Sequence, residues 1–79
     1  VGGMPRPQEI RIVAEMVANV LSVDVAAGDA VAIGDTVILL ESMKMDIPVI
    51  SEHAGAAADI YVAPGDVVQE GDVLLSITA

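Results

Sequence analysis

Val23-Asp24-Val25-Ala26-Ala27-Gly28-Asp29-Ala30-Val31-Ala32-Ile33-Gly34-Asp35-Thr36-Val37-Ile38-Leu39-Leu40 is echoed later in the chain. The second stretch is Ile60-Tyr61-Val62-Ala63-Pro64-Gly65-Asp66-Val67-Val68-Gln69-Glu70-Gly71-Asp72-Val73-Leu74-Leu75. Gly65 follows Gly28 by 37 residues, and in each copy a second Gly-Asp comes six residues after the first. Beyond Asp35 and Asp72 the second copy reads as one residue short or slightly shifted. Gly-Asp is turn chemistry, and the runs it separates are rich in valine and isoleucine. β-Branched side chains are already restricted at χ1 and fit a pleated surface better than a helix. Each copy therefore reads as strand, turn, short strand, turn, strand.

Working outward, strands are expected at roughly 9–14, 17–25, 30–33, 36–42, 45–51, 55–63, 67–69 and 73–78. Several alternate by face, as in Val20-Leu21-Ser22-Val23-Asp24-Val25. Glu15–Val25 also admits a helix on its Ala/Val content, which its β-branched residues disfavour. Neither half can bury its apolar face alone, so the two must pack together. The expected fold is all-β: a flattened antiparallel β-barrel or barrel-sandwich with pseudo-twofold symmetry. Residues 1–8 carry two glycines and two prolines without periodicity and read as a flexible tail ahead of a domain at 9–79.

Composition narrows the function. The chain has 79 residues, 54% hydrophobic, with no cysteine and one aromatic residue, Tyr61. A domain this small buries only about 60% of its unfolded surface and leaves little volume for a catalytic cleft with its supporting shells. Zinc-finger and disulfide scaffolds are excluded. Twelve acids against three bases give a net charge of −9, and three scattered cations cannot track a phosphate backbone, so no nucleic-acid partner is expected. Charges interrupt every apolar run well short of the about 18 residues that span a bilayer, so no membrane partner is expected either. No basic region followed by an apolar stretch opens the chain, so no signal peptide is expected. A cytoplasmic domain, monomeric in isolation, is the resulting expectation.

The segment between the copies, Glu41-Ser42-Met43-Lys44-Met45-Asp46, belongs to neither. Lys44 is the only lysine. Folding the chain back about Lys44 pairs Met43 with Met45 and makes a hairpin with the amine at its tip. A primary amine on a four-carbon stem at a fixed apex is a nucleophile suited to an activated acyl group. No Gly or Asn occupies this tip, so a tight turn here is mildly strained, which fits a functional site better than a structural one. Two exposed methionines beside it read as a surface for partners rather than as core filling. The Gly-Asp aspartates lack the spacing of a calcium loop and read as turn caps. His53, the only histidine, has no partner suggested by spacing and reads as a loop residue. No metal site and no acid–base pair or nucleophile dyad is apparent.

Glu41-Ser42-Met43-Lys44-Met45, set between the two repeats, resembles the attachment motif of biotinyl domains, the carboxyl carrier modules of biotin-dependent carboxylases. The resemblance covers about residues 10–78. It implies biotin joined to Lys44 by an amide, with Glu41, Ser42, Met43 and Met45 as neighbouring recognition residues. It further implies that a biotin protein ligase acylates Lys44 with ATP. The domain would then serve a biotin carboxylase and a carboxyltransferase of an acyl-CoA-type carboxylase, doing no chemistry itself. The related lipoyl domains share the architecture, but the residue before their lysine is usually acidic or small and polar; flanking methionines favour biotin. The alternatives are a lipoyl carrier of a 2-oxoacid dehydrogenase and an unmodified interaction module of the same fold. Ser42 stands where many family members have alanine, and Ser51-Glu52 where an Ala-Pro pair is common. The span from Val25 to Val37 leaves no room for the thumb of bulkier members.

Overall fold

The computed structural model describes residues 9–78. The tail expected at 1–8 lies outside the described residues. Eight strands follow one another: β1 (Glu9–Val13), β2 (Ala18–Val23), β3 (Ala30–Val31), β4 (Thr36–Ser42), β5 (Met45–Ile50), β6 (Gly55–Ile60), β7 (Val67–Val68) and β8 (Val73–Thr78). They form two antiparallel four-stranded sheets, ordered β1-β8-β6-β3 and β5-β4-β2-β7. Glu15–Val25 is not helical: β2 occupies its middle, with Ala18 and Val20 turned inward and Asn19 and Leu21 outward. The all-β barrel-sandwich is the observed fold.

Its pseudo-symmetry is stricter than the sequence suggested. The 37-residue offset carries β1 onto β5, β2 onto β6, β3 onto β7 and β4 onto β8. There is no slip after the second Gly-Asp, since β4 opens at Thr36 and β8 at Val73, each directly after its aspartate. The apparent shift came from matching residue types, where Leu39 and Leu40 drew the eye to Leu74 and Leu75. The halves also do not stack as separate layers. Each sheet takes two strands from each half, so they interleave.

The Gly-Asp turns join the halves. All four glycines hold φ between 91° and 95°, a region closed to most side chains. Each following aspartate closes its turn by accepting the N–H three residues back: Ala26 to Asp29, Ala32 to Asp35, Ala63 to Asp66 and Gln69 to Asp72, at 2.8–2.9 Å. The backbone of each pair then exchanges two hydrogen bonds with the other half. Gly28 N–H donates to Ala57 C=O and Ala57 N–H to Asp29 C=O; in the symmetric copy Gly65 N–H donates to Val20 C=O and Val20 N–H to Asp66 C=O. Gly34 and Asp35 bind Ser51 in the same way, as Gly71 and Asp72 bind Ala14.

Between the sheets lies an aliphatic core of symmetric pairs: Val37 with Leu74, Ile38 with Leu75, Leu40 with Ile77, Val31 with Val68, and Val20 with Ala57. Two buried serines depart from the apolar pattern. Ser51 Oγ donates to His53 C=O at 2.6 Å and accepts the His53 N–H at 3.2 Å. Ser76 Oγ accepts the Asp59 N–H, in the stretch where the β6–β8 register shifts. Such groups are tolerated in a core only when bonded.

The four sheet edges are protected from further pairing. β3 and β7 are two residues long, β5 carries Pro48, and β1 carries the exposed Glu9–Arg11 ion pair at 3.5 Å.

Gly55 is a close approach rather than a turn. A Cβ there would meet the Thr78 carbonyl and come within 2.8 Å of Ile77 Cγ2. Gly55→Ala is expected to cost about 2 kcal/mol, lowering the thermal midpoint by roughly 10 °C as followed by circular dichroism. A midpoint unchanged within error would show that the β6–β8 seam can open to admit a methyl group.

Candidate functional site

β4 is a central strand, paired on one side with β2 and on the other with β5. Its Val37, Ile38 and Leu40 are buried, which fixes its path up to the last two residues. There the ladder with β5 continues through Leu40↔Ile47, Glu41↔Asp46 and Ser42↔Met45. Two residues, Met43 and Lys44, remain to close the turn, with φ of 52° and 65°. They are the only non-glycine residues with positive φ among those described.

This corrects the register expected from sequence. Met45 pairs with Ser42, not with Met43, and the tip is Met43-Lys44 rather than Lys44 alone. A two-residue loop with both residues left-handed matches the right-handed twist of the flanking strands, which a one-residue tip cannot close.

The segment 41–45 comes together at this apex. Lys44 is exposed, Met43 is 91% exposed and Met45 63%; Glu41 and Ser42 are half-buried in the neck. No carboxylate lies within ion-pair distance of Lys44 among the described residues, where Arg11–Glu9 is the one pair found. The amine thus has no ion-pair partner among those residues. Asp46 is the neighbour that sequence reasoning left out. It faces Glu41 directly across the ladder, so two acidic residues pair at the neck of the hairpin. The register alone would have revealed it.

The remaining candidates fall to ordinary structural roles. The Gly-Asp carboxylates are occupied as turn caps, and no cluster of three or more metal-ligating side chains occurs among the described residues. His53 is an exposed loop residue. Two surface hollows, of about 630 and 480 Å³, are lined by other parts of the chain; none of residues 41–46 lines either. The site offers a nucleophile with an apolar collar. An amide-linked cofactor fits it: the donor needed is one accessible primary amine, and Lys44 is the only lysine.

The chain is similar to known proteins along most of its length. The family model described as Biotin-requiring enzyme matches residues 4–77. A biotinylated protein TB7.3 homolog of Mycobacterium leprae (strain TN) is 49% identical over 65 residues, spanning 82% of this chain and 92% of the relative. A biotin/lipoyl attachment protein of Bacillus subtilis (strain 168) is 42% identical over 64 residues, spanning 81% and 88%. Among solved structures, a single-chain, multi-domain long-chain acyl-CoA carboxylase superposes with a TM-score of 0.86 at 29% identity. The match covers 99% of this chain but only 8% of that one. A repeat-built barrel-sandwich with its lone lysine at a hairpin apex, matched along nearly its whole length, places this chain in the family of biotin-requiring enzymes as a biotinyl domain, whose cofactor is covalently attached biotin.

Proposed function

We propose that Lys44 is the residue acylated by a biotin protein ligase, and that the domain carries carboxyl groups between the biotin carboxylase and the carboxyltransferase of an acyl-CoA-type carboxylase. The observation that carries this reading is the left-handed Met43-Lys44 tip, which holds the only lysine outward between two exposed methionines. Similarity to part of an acyl-CoA carboxylase supports the acceptor class. The proposal includes a cytoplasmic setting and a monomer in isolation, the latter supported by the short or proline-bearing sheet edges.

Turn energetics point the same way. A non-glycine residue in the left-handed region costs about 1–2 kcal/mol, and this turn type favours Asn-Gly. Retaining Met and Lys sacrifices turn stability for the side chains themselves. The strain is tolerable because β4 is locked by its buried residues on both sides of the sheet.

When bound, biotin supplies a ring nitrogen that accepts and releases a carboxyl group. The chain's own contribution is position. Lys44 Nζ attacks the activated carboxyl of the ligase's acyl adenylate, forming the amide as the adenylate leaves and a proton is lost. Met43 and Met45 offer the apolar contact by which partners find the apex. The rigid β4–β5 ladder fixes where the arm is rooted, so that two active sites meet it at high effective concentration rather than by free diffusion.

Incubation with biotin protein ligase, ATP and biotin should raise the intact mass by one biotinyl group, mapped to Lys44. Lipoate with its own ligase should leave the mass unchanged. Lys44→Arg should abolish labelling without moving the thermal midpoint, because the side chain is exposed; substantial residual labelling would mean another acceptor. Met43→Asn should raise stability by about 1 kcal/mol, roughly 5 °C in midpoint, while slowing labelling. Faster or unchanged labelling would remove Met43 from the recognition surface.

A further inference from the structure

Peroxide oxidises divalent sulfur readily, and this chain contains no cysteine and no tryptophan to compete. Its oxidisable sulfur is confined to four methionines. Of the three among the described residues, Met16 is 39% exposed, Met45 63% and Met43 91%. Among the described residues the two most open thioethers are thus the two that flank Lys44. Neither belongs to the core cluster, so altering them leaves the packing intact.

We propose that Met43 and Met45 make the attachment hairpin an oxidation-sensitive docking element: conversion of their thioethers to sulfoxides blocks acylation of Lys44, and reduction restores it. The inference rests on the reading of Lys44 as the acylated residue. Chemically, a lone pair on sulfur takes one oxygen of hydrogen peroxide. The O–O bond breaks, the S–O bond forms, and the remaining oxygen leaves as water. Sulfur is oxidised by two electrons and the peroxide reduced by two. The product is a strong hydrogen-bond acceptor on what was an apolar side chain. A partner that packs against the methionines must now strip water from two sulfoxides, a cost with no compensating bond in a surface shaped for thioethers.

The test treats the whole chain with hydrogen peroxide, removes the oxidant, and follows each methionine by fragment-resolved mass spectrometry. The rate of biotinyl transfer is then measured with biotin protein ligase, ATP and biotin. Met43 and Met45 should gain oxygen ahead of Met16. Labelling should fall about tenfold, the effect of losing one buried apolar side chain from a contact. The thermal midpoint should stay constant, and methionine sulfoxide reductases A and B with dithiothreitol should restore the rate. A Met43→Leu/Met45→Leu variant, whatever its own rate, should label at a rate that peroxide does not change. Should leucine itself impair labelling, the reductase rescue of the unaltered chain decides. Labelling at the untreated rate after full oxidation overturns the proposal, as does a loss that both reductases fail to reverse. Untreated protein that takes no biotin at all overturns instead the reading of Lys44 on which it stands.

Discussion

The backbone exchange between each Gly-Asp turn and the opposite half governs this molecule. Because every turn gives an N–H and takes an N–H from a residue of the other copy, neither half satisfies its own backbone. The interleaved sheets follow from that constraint. With no tryptophan or phenylalanine and a core of valine, leucine, isoleucine and alanine, hydrophobic burial alone is modest for a chain of this size. The reciprocal bonds make the fold all-or-none and hold β4 at the centre of its sheet.

That rigidity is what the site requires. Among the described residues Lys44 has no ion-pair partner, and none of residues 41–46 lines either surface hollow. Lys44 presents an exposed amine at a fixed point, flanked by exposed apolar side chains. The hairpin can afford two left-handed residues because β4, which leads into it, is fixed by its buried residues and by pairing along both edges.

Much of this was legible in the residues. The four Gly-Asp pairs fall where the turns fall, and the strand runs between them match β1 to β8 to within a few residues, since β-branched content and turn chemistry agree locally. The lone lysine between methionines identified the apex. What escaped was non-local. Interleaving of the halves depends on which strand each turn binds, and a repeat looks the same whether its copies stack or exchange partners. The tip register slipped by one residue because Met-Lys carries no signal for positive φ. Asp46 opposite Glu41 followed from that same slip. Nothing in the sequence signals the burial of Ser51 and Ser76, which the His53 and Asp59 backbone groups make possible.

The two copies also serve as internal controls for each other. Features that build the fold recur in both: the capped glycines, the core pairs, and the bonds from Asp24 to Val37 and from Tyr61 to Leu74. Features that do not recur are free of that duty. The β4–β5 tip, with its two left-handed non-glycine residues, is one such feature among the described residues. Exposed apolar residues follow the same division. Val17 and Val67 have Ala54 and Ala30 as counterparts, Tyr61 has Asp24, and Met16 has His53. Val67 and Glu41 both pair with Asn19, so this apolar excess lies two strands from the neck of the lysine hairpin. The two copies share one scaffold and differ in these exposed apolar positions and in the lysine hairpin.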